Sequence, residues 1–164
     1  MFRKMRRFKQ LLSEEETRAV LEQGKTGVLA VSGDDGYPYA VPINYVYADG
    51  CIYFHSAKAG HKIDAIRADE KVSFCVIAED RIVPEEVTTY FKSAIAFGRA
   101  RILAGDEKYA AAMRLAGKYS SDYPEVVEED MRKNFNSMEM VEIRIEHVTG
   151  KQAIELVRAA QAAQ

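Results

Sequence analysis

Residues 52–62 have the sequence IYFHSAKAGHK, which predicts a β-strand, a short turn and the start of a helix. The apolar strand ends at Ser56, and Gly60 then lets the backbone turn before a helix over residues 61–68. Unpaired N–H groups and the dipole at a helix start attract an anion, while Ser56 offers a hydrogen bond and Lys62 a positive charge. The stretch therefore suits a phosphate group. The alternative is that Lys62 is simply solvated and Ser56 only ends a strand.

The chain on both sides of this stretch predicts further antiparallel strands joined by close turns. Together with residues 51–56, the predicted strands cover residues 26–32, 39–47, 71–78, 88–103 and 140–147. Pro42 cannot donate to a strand ladder, so it indicates a sheet edge or a bulge. Gly98 indicates a bulge within a long strand. The charged residues 79–87 are expected to form a surface loop.

Short helices are predicted around the strands, over residues 14–23, 61–68, 106–119 and 125–135. Ser13 and Glu16 have the spacing of a capping box at the start of the first helix. Six strands with short turns and a few helices predict a mainly β fold, an antiparallel six-stranded barrel with helical additions. We expect a single domain over residues 1–164, with an N-terminal arm over 1–12 and a C-terminal tail over 151–164.

Composition excludes several classes of protein. The 164-residue chain has a formal net charge of −2, so no overall basic field points to nucleic acid. No apolar run approaches the roughly 20 residues that a membrane-spanning helix needs. Residues 1–10 are basic, but acidic residues follow at 14–16 where a secretion signal would continue, so a cytoplasmic location is expected. The basic segment is then an arm packed on the domain or on a partner subunit; an organelle presequence or an RNA-binding arm is the alternative.

The cysteine, histidine and glycine patterns argue against several types of metal site and nucleotide-binding or hydrolytic site. Cys51 and Cys75 lie in strand-like apolar runs, which suggests a reducing compartment and core packing, with a disulfide between adjacent strands as the alternative. The three histidines and two cysteines lack zinc-ligand spacing, so no metal site is predicted. The sequence also lacks the glycine motifs of dinucleotide-binding folds, P-loops and hydrolase elbows, which argues against those classes.

Three further features could contact a planar ligand or a substrate. Residues 41–44 (VPIN) form a proline-interrupted strand with free backbone groups, and Asn44 offers both a donor and an acceptor, although this could be an ordinary edge strand. Ser93 is expected as a buried hydroxyl on an apolar strand face, where it could simply bond a backbone carbonyl. The imidazole of His55 suits proton transfer, and the alternative is a packed, hydrogen-bonded spacer.

The order and spacing of these pieces resemble the FMN-binding split-barrel family of pyridoxamine 5′-phosphate oxidase-like proteins, and in particular its nitroimidazole-resistance, or nitroimidazole-reductase-like, branch. The resemblance covers residues 6 to 151. The pieces that carry it are residues 27–30 (GVLA), 35–38 (DGYP), 41–45 (VPINY) and 52–57 (IYFHSA), then Gly60, Lys62, Ser93, residues 97–99 (FGR) and residues 150–151 (GK).

The resemblance implies a six-stranded split barrel that forms a homodimer and holds FMN in a groove between the subunits. It implies that the flavin ring lies along four strand residues, which are Val41, Pro42, Ile43 and Asn44. Ser56 and Lys62 would hold the phosphate, with Gly60 at the turn and His55 nearby. Ser93 would face the cofactor, and His55 would lie close to the ring and the substrate as the candidate catalytic residue.

The function expected from this resemblance is that of an FMN-dependent oxidoreductase. A nicotinamide nucleotide would donate hydride, and an electron-poor small molecule would accept electrons. The alternative is a non-catalytic module that holds flavin or haem for storage, sensing or delivery. Oxidation of pyridoxamine 5′-phosphate itself is disfavoured, because Arg158 stands alone at a C-terminal end where that substrate would need several arginines.

Overall fold

Seven antiparallel strands form one sheet in the computed structural model of the chain, which describes residues 1–162. They are β1 (Thr26–Ser32), β2 (Pro38–Asn44), β3 (Val46–Ala48), β4 (Cys51–Ala57), β5 (Lys71–Val83), β6 (Thr88–Ile102) and β7 (Met138–Gln152). Their order across the sheet is β2-β1-β5-β6-β7-β4-β3. The helices are α1 (Glu14–Gln23), α2 (His61–Ala68), α3 (Gly105–Tyr119), α4 (Pro124–Asn134) and α5 (Ile154–Ala162).

The predicted count of six strands is wrong, because the strand expected over residues 39–47 is divided at Tyr45. Its side chain is fully buried, and its hydroxyl donates to the Leu21 carbonyl oxygen at 2.7 Å. The backbone N–H of Tyr45 donates to the Tyr119 hydroxyl at 3.0 Å instead of to a strand. A single residue therefore joins β2 and β3, which lie at opposite edges of the sheet. The sheet must curl until its two edges approach each other at Tyr45.

The prediction that residues 79–87 form a surface loop is also wrong. β5 and β6 instead form a long hairpin that pairs as far as Val83 and Thr88. Much of its outer part is exposed to solvent or only partly buried; Ile82, for example, is 73% exposed, although Val83 is buried. Polar residues such as Glu79 and Asp80 therefore sit in a strand with no apolar alternation, because main-chain pairing does not require buried side chains.

Several local predictions are confirmed. The Ser13 hydroxyl accepts from the Glu16 N–H at 3.1 Å, and the Glu16 carboxylate accepts from the Ser13 N–H at 2.8 Å, which completes the capping box. The pairing of β6 with β7 shifts at Gly98, where the bulge was expected. Pro42 lies in β2, an edge strand. Helices α1 and α2 have the predicted bounds, and the other two predicted helices differ by one residue at one or both ends.

The main core lies on the inner face of the curled sheet. Fully buried side chains there include Leu29, Phe54, Phe74 and Ile63. A second, smaller cluster joins α3 to the outer face of the sheet through Leu103, Ala111, Ala112, Leu115 and Met140. One strand, β4, contributes to both faces by alternation, and this decides where the candidate site residues point.

The predicted arm and tail are tied to the body of the protein. Leu12 is buried, and its N–H donates to the Gly150 carbonyl oxygen at 3.1 Å. The tail begins inside β7, continues as α5, and its residues 163–164 lie outside the described residues. Cys51 and Cys75 are both free thiols, because β6 and β7 lie between their strands. Among residues 1–162, the structure contains no helix long and apolar enough to cross a membrane.

Candidate functional site

Three residues frame the turn between β4 and α2, and we call them the anion pocket: Ser56, Gly60 and Lys62. Ser56 is 4% exposed, and its hydroxyl has no hydrogen-bond partner within residues 1–162. A buried hydroxyl without a partner is costly, so this position suits an acceptor atom supplied by a ligand. Gly60 has a φ of 122°, which favours glycine, and open space surrounds the position that a Cβ would take. The Lys62 side chain is partly buried.

The first turn of α2 adds donors to the anion pocket. The N–H groups of Ile63 and Asp64 both donate to the Gly60 carbonyl oxygen, at 2.9 Å and 3.1 Å. The N–H groups of His61 and Lys62 come earlier in the helix and have no acceptor within it. The His61 ring stacks on Tyr39 of β2 at 4.1 Å, which holds the start of α2 beside the edge strand. The anion pocket therefore combines a hydroxyl, free N–H groups and a cation.

His55 points away from the anion pocket, although it is next to Ser56 in the chain. In β4 the side chains of Ile52, Phe54 and Ser56 are buried on the inner face, whereas that of His55 is exposed on the outer face. Adjacent residues of a strand face opposite sides, so one phosphate cannot contact both side chains from one side of the sheet. The structure therefore separates His55 from the predicted phosphate ligands.

The predicted flavin contacts in β2 also divide between two faces. Val41 and Ile43 are partly buried against the main core, whereas Pro42 and Asn44 point outward. Val41 and Ile43 could therefore offer a ligand only their backbone. The Asn44 amide nitrogen donates to the Lys25 carbonyl oxygen at 3.1 Å, which leaves the Asn44 carbonyl oxygen as an acceptor for a ligand N–H.

Asn44 and His55 meet in a cavity of about 440 Å³ between the sheet and helices α3 and α4, which we call the His55 cavity. Its floor consists of the buried residues Ala112, Leu115 and Met140. The remaining lining residues are Ala116, Tyr119, Ser120, Val126, Val127, Asp130, Met131 and Met138. The lining is mainly apolar with a few polar groups, as is usual for small-molecule sites.

Ser93 lies apart from the other predicted site residues. It pairs with Lys151 near the far end of β7, whereas His55 pairs with Met140 near the start of that strand. Its side chain is half-buried on the outer face of β6, because the alanines of this strand, and not its larger side chains, face the core. The expectation of a buried Ser93 hydroxyl is therefore wrong within one chain.

Sequence reasoning missed the helical side of the His55 cavity, which includes Tyr119, Asp130 and Met131. One signal was available, because Val127, Met131 and Phe135 recur at intervals of four residues and mark one face of a helix. No local pattern indicates that this face lies above the outer face of β4, since that placement depends on how α3 and α4 pack.

The comparisons with known proteins cover most of the chain. Residues 13–152 match the family model described as pyridoxamine 5′-phosphate oxidase, and this range includes every sequence piece that carried the resemblance. No curated protein matches the chain.

Three solved structures illustrate the structural similarity. A candidate 5-nitroimidazole antibiotic resistance protein from Bacteroides thetaiotaomicron is 19% identical, with a TM-score of 0.71 over 87% of this chain and 86% of that chain. A FAD-binding protein from Mesorhizobium loti is 27% identical, with a TM-score of 0.62 over 88% and 97%. A FAD and heme binding protein from Mycobacterium smegmatis is 20% identical, with a TM-score of 0.75 over 88% and 73%.

Proposed function

The chain belongs to the pyridoxamine 5′-phosphate oxidase family, and from this premise we propose that it binds FMN and acts as an oxidoreductase of the nitroimidazole-reductase-like type. The observation that carries the proposal is the buried, unpartnered hydroxyl of Ser56 in the anion pocket. A phosphate oxygen would accept its hydrogen bond, and Lys62 would balance the negative charge. A pocket with one lysine and one buried serine suits the single phosphate of FMN.

The rest of the cofactor would follow the outward face of β2. The Asn44 carbonyl oxygen is free to accept a hydrogen bond from a ring N–H, and Pro42 presents an apolar surface beside it. When bound, the flavin supplies the electron transfer, and the protein supplies binding, orientation and exclusion of water. His55 lies in the cavity next to Asn44, where its imidazole could hold or deliver a proton.

We further propose a homodimer with the cofactor at the subunit interface. Ile77, Ile95 and Phe97 are 59%, 42% and 40% exposed on the hairpin of β5 and β6, an arrangement that favours contact with another protein surface. Ser93 lies on the same outer face as Ile95 and Phe97. In a dimer Ser93 could face the cofactor of the second copy, which would restore the predicted contact that a single chain does not make.

Flavin reduction separates an oxidoreductase from a carrier. We expect the purified protein to show flavin absorbance bands and to bleach when mixed anaerobically with NADH or NADPH. The control is free FMN at the same concentration, which corrects for reduction without the protein. Retained colour with both nucleotides would instead favour a non-catalytic module, and a Soret band would indicate haem. A protein that stays colourless after FMN is supplied would contradict the whole proposal.

Replacing Ser56 with alanine should change flavin affinity and stability in opposite directions. Without flavin, the variant should be as stable as the native protein or more stable by about 1 kcal/mol, because an unsatisfied buried hydroxyl is removed. Its Kd for FMN should rise about tenfold, because the phosphate loses a donor. Urea unfolding and flavin fluorescence titration measure the two effects. Ser73→Ala, at a half-buried strand position, is the control, and a clear loss of stability in flavin-free Ser56→Ala would show that the hydroxyl has a structural partner.

A further inference from the structure

We propose that the His55 cavity binds a neutral or cationic aromatic ligand beside the flavin, and that Asp130 excludes anionic ligands from it. The inference rests on the proposed function only for the presence of the flavin. The cavity and its charges belong to this chain alone, since both its sheet side and its helical side come from described residues.

The apolar part of the lining favours a flat aromatic molecule. Ala112, Leu115 and Met140 form a buried floor, and Met131 and Met138 add flexible thioether side chains. Methionine adapts its shape to a ligand and makes favourable contacts with aromatic rings. A cavity of about 440 Å³ lies within the usual range for small-molecule sites.

The charge of the lining opposes an anion. Among the described residues, Asp130 is the single carboxylate in the cavity wall, and no lysine or arginine lines it. The Asn134 amide nitrogen donates to the Asp130 carboxylate at 2.7 Å, one helical turn away, which holds the charge at the exposed side of the cavity. Lys133, the neighbouring cation, is paired with Glu129 and does not neutralise Asp130. A phosphorylated, sulfonated or carboxylated ligand would therefore meet repulsion from Asp130, with no lysine or arginine in the lining to offset it.

Two aromatic probes that differ by one charge test this selection. N-phenyl-1-naphthylamine is neutral, and 8-anilino-1-naphthalenesulfonate has the same ring skeleton with a sulfonate. Fluorescence titration of the native protein should show that the Kd of the neutral probe is about tenfold lower than the Kd of the sulfonate. Asp130→Asn should lower the Kd of the sulfonate about tenfold and leave that of the neutral probe unchanged. Glu125→Gln is the matched control, because it removes a carboxylate from an exposed position of α4 that does not line the cavity.

A cavity-filling variant tests whether the probe binds in the His55 cavity. Ala116→Phe should raise the Kd of the neutral probe by about tenfold, because the new ring occupies the space between α3 and α4. Equal affinities of the two probes, a response to Glu125→Gln equal to that of Asp130→Asn, or unchanged binding in Ala116→Phe would each overturn the inference. Flavin content is measured on the same samples, so a protein without flavin contradicts the proposed function while the probe titrations still judge Asp130 separately.

Discussion

Replacing Lys62 with alanine is expected to raise the Kd for FMN about ten- to a hundredfold. A hydrogen bond to a charged group contributes ~1.5–3 kcal/mol, which corresponds to that range of affinity. Lys62 is only partly buried, so salt should screen part of its contribution, and the effect of the substitution should shrink as ionic strength rises. Titration of the flavin-free protein with FMN at low and high salt measures both quantities.

The matched control for Lys62 is Lys133→Ala. Lys133 is also a lysine on a helix, but it is exposed, is paired with Glu129 and lies outside the anion pocket. Its loss changes the net charge by the same amount and should leave the Kd for FMN unchanged. Lys62→Arg should recover part of the affinity, because a guanidinium also binds phosphate. Full flavin retention by Lys62→Ala would show that the phosphate is held elsewhere.

Replacing His55 with alanine is expected to lower the turnover number for reduction of a nitroaromatic acceptor by about 10²- to 10⁴-fold, the usual contribution of a group that transfers a proton. The Kd for FMN should change little, because the His55 side chain points to the outer face of β4, whereas that of Ser56 points to the inner face. Anaerobic flavin titration and steady-state kinetics with NADPH separate these two effects.

His147→Ala is the control for this substitution. His147 is half-buried on β7, stacks on Phe2 and does not line the His55 cavity. Its loss should leave turnover within experimental error of the native value. A loss of flavin binding in His55→Ala equal to its loss of turnover would show that His55 is a structural residue.

Much of the fold could be predicted because its signals are local. Ser13 and Glu16 cap α1 through atoms only three residues apart. The glycine at position 60 predicted a turn from the sequence. In the structure its φ is 122°, a backbone conformation that favours a residue without a Cβ. Both signals depend on chain geometry over a few residues, so the bounds of α1 and α2 could be predicted without knowledge of the rest of the molecule.

The errors arose where long-range contacts override local patterns. Tyr45 lies in an apolar, strand-like run, but hydrogen bonds to α1 and α3 remove it from the ladder and divide the predicted strand. Glu79 and Asp80 are polar enough for a loop, but pairing with β6 holds them in a strand. The opposite directions of His55 and Ser56 could have been predicted, since adjacent strand residues face opposite sides, whereas the family resemblance placed both near the phosphate.

The sequence by itself determined the family and the mainly β architecture, and it indicated Ser56 and Lys62 as candidate phosphate ligands, because these signals lie within short stretches such as residues 52–62. Only the tertiary structure decided that Asn44 and His55 share a cavity with Asp130, and that Ser93 lies apart from them within one chain. The physical reason is that alternation, capping and turns act between near neighbours. The cavity instead depends on where the curled sheet brings its edges and where α3 and α4 pack against it.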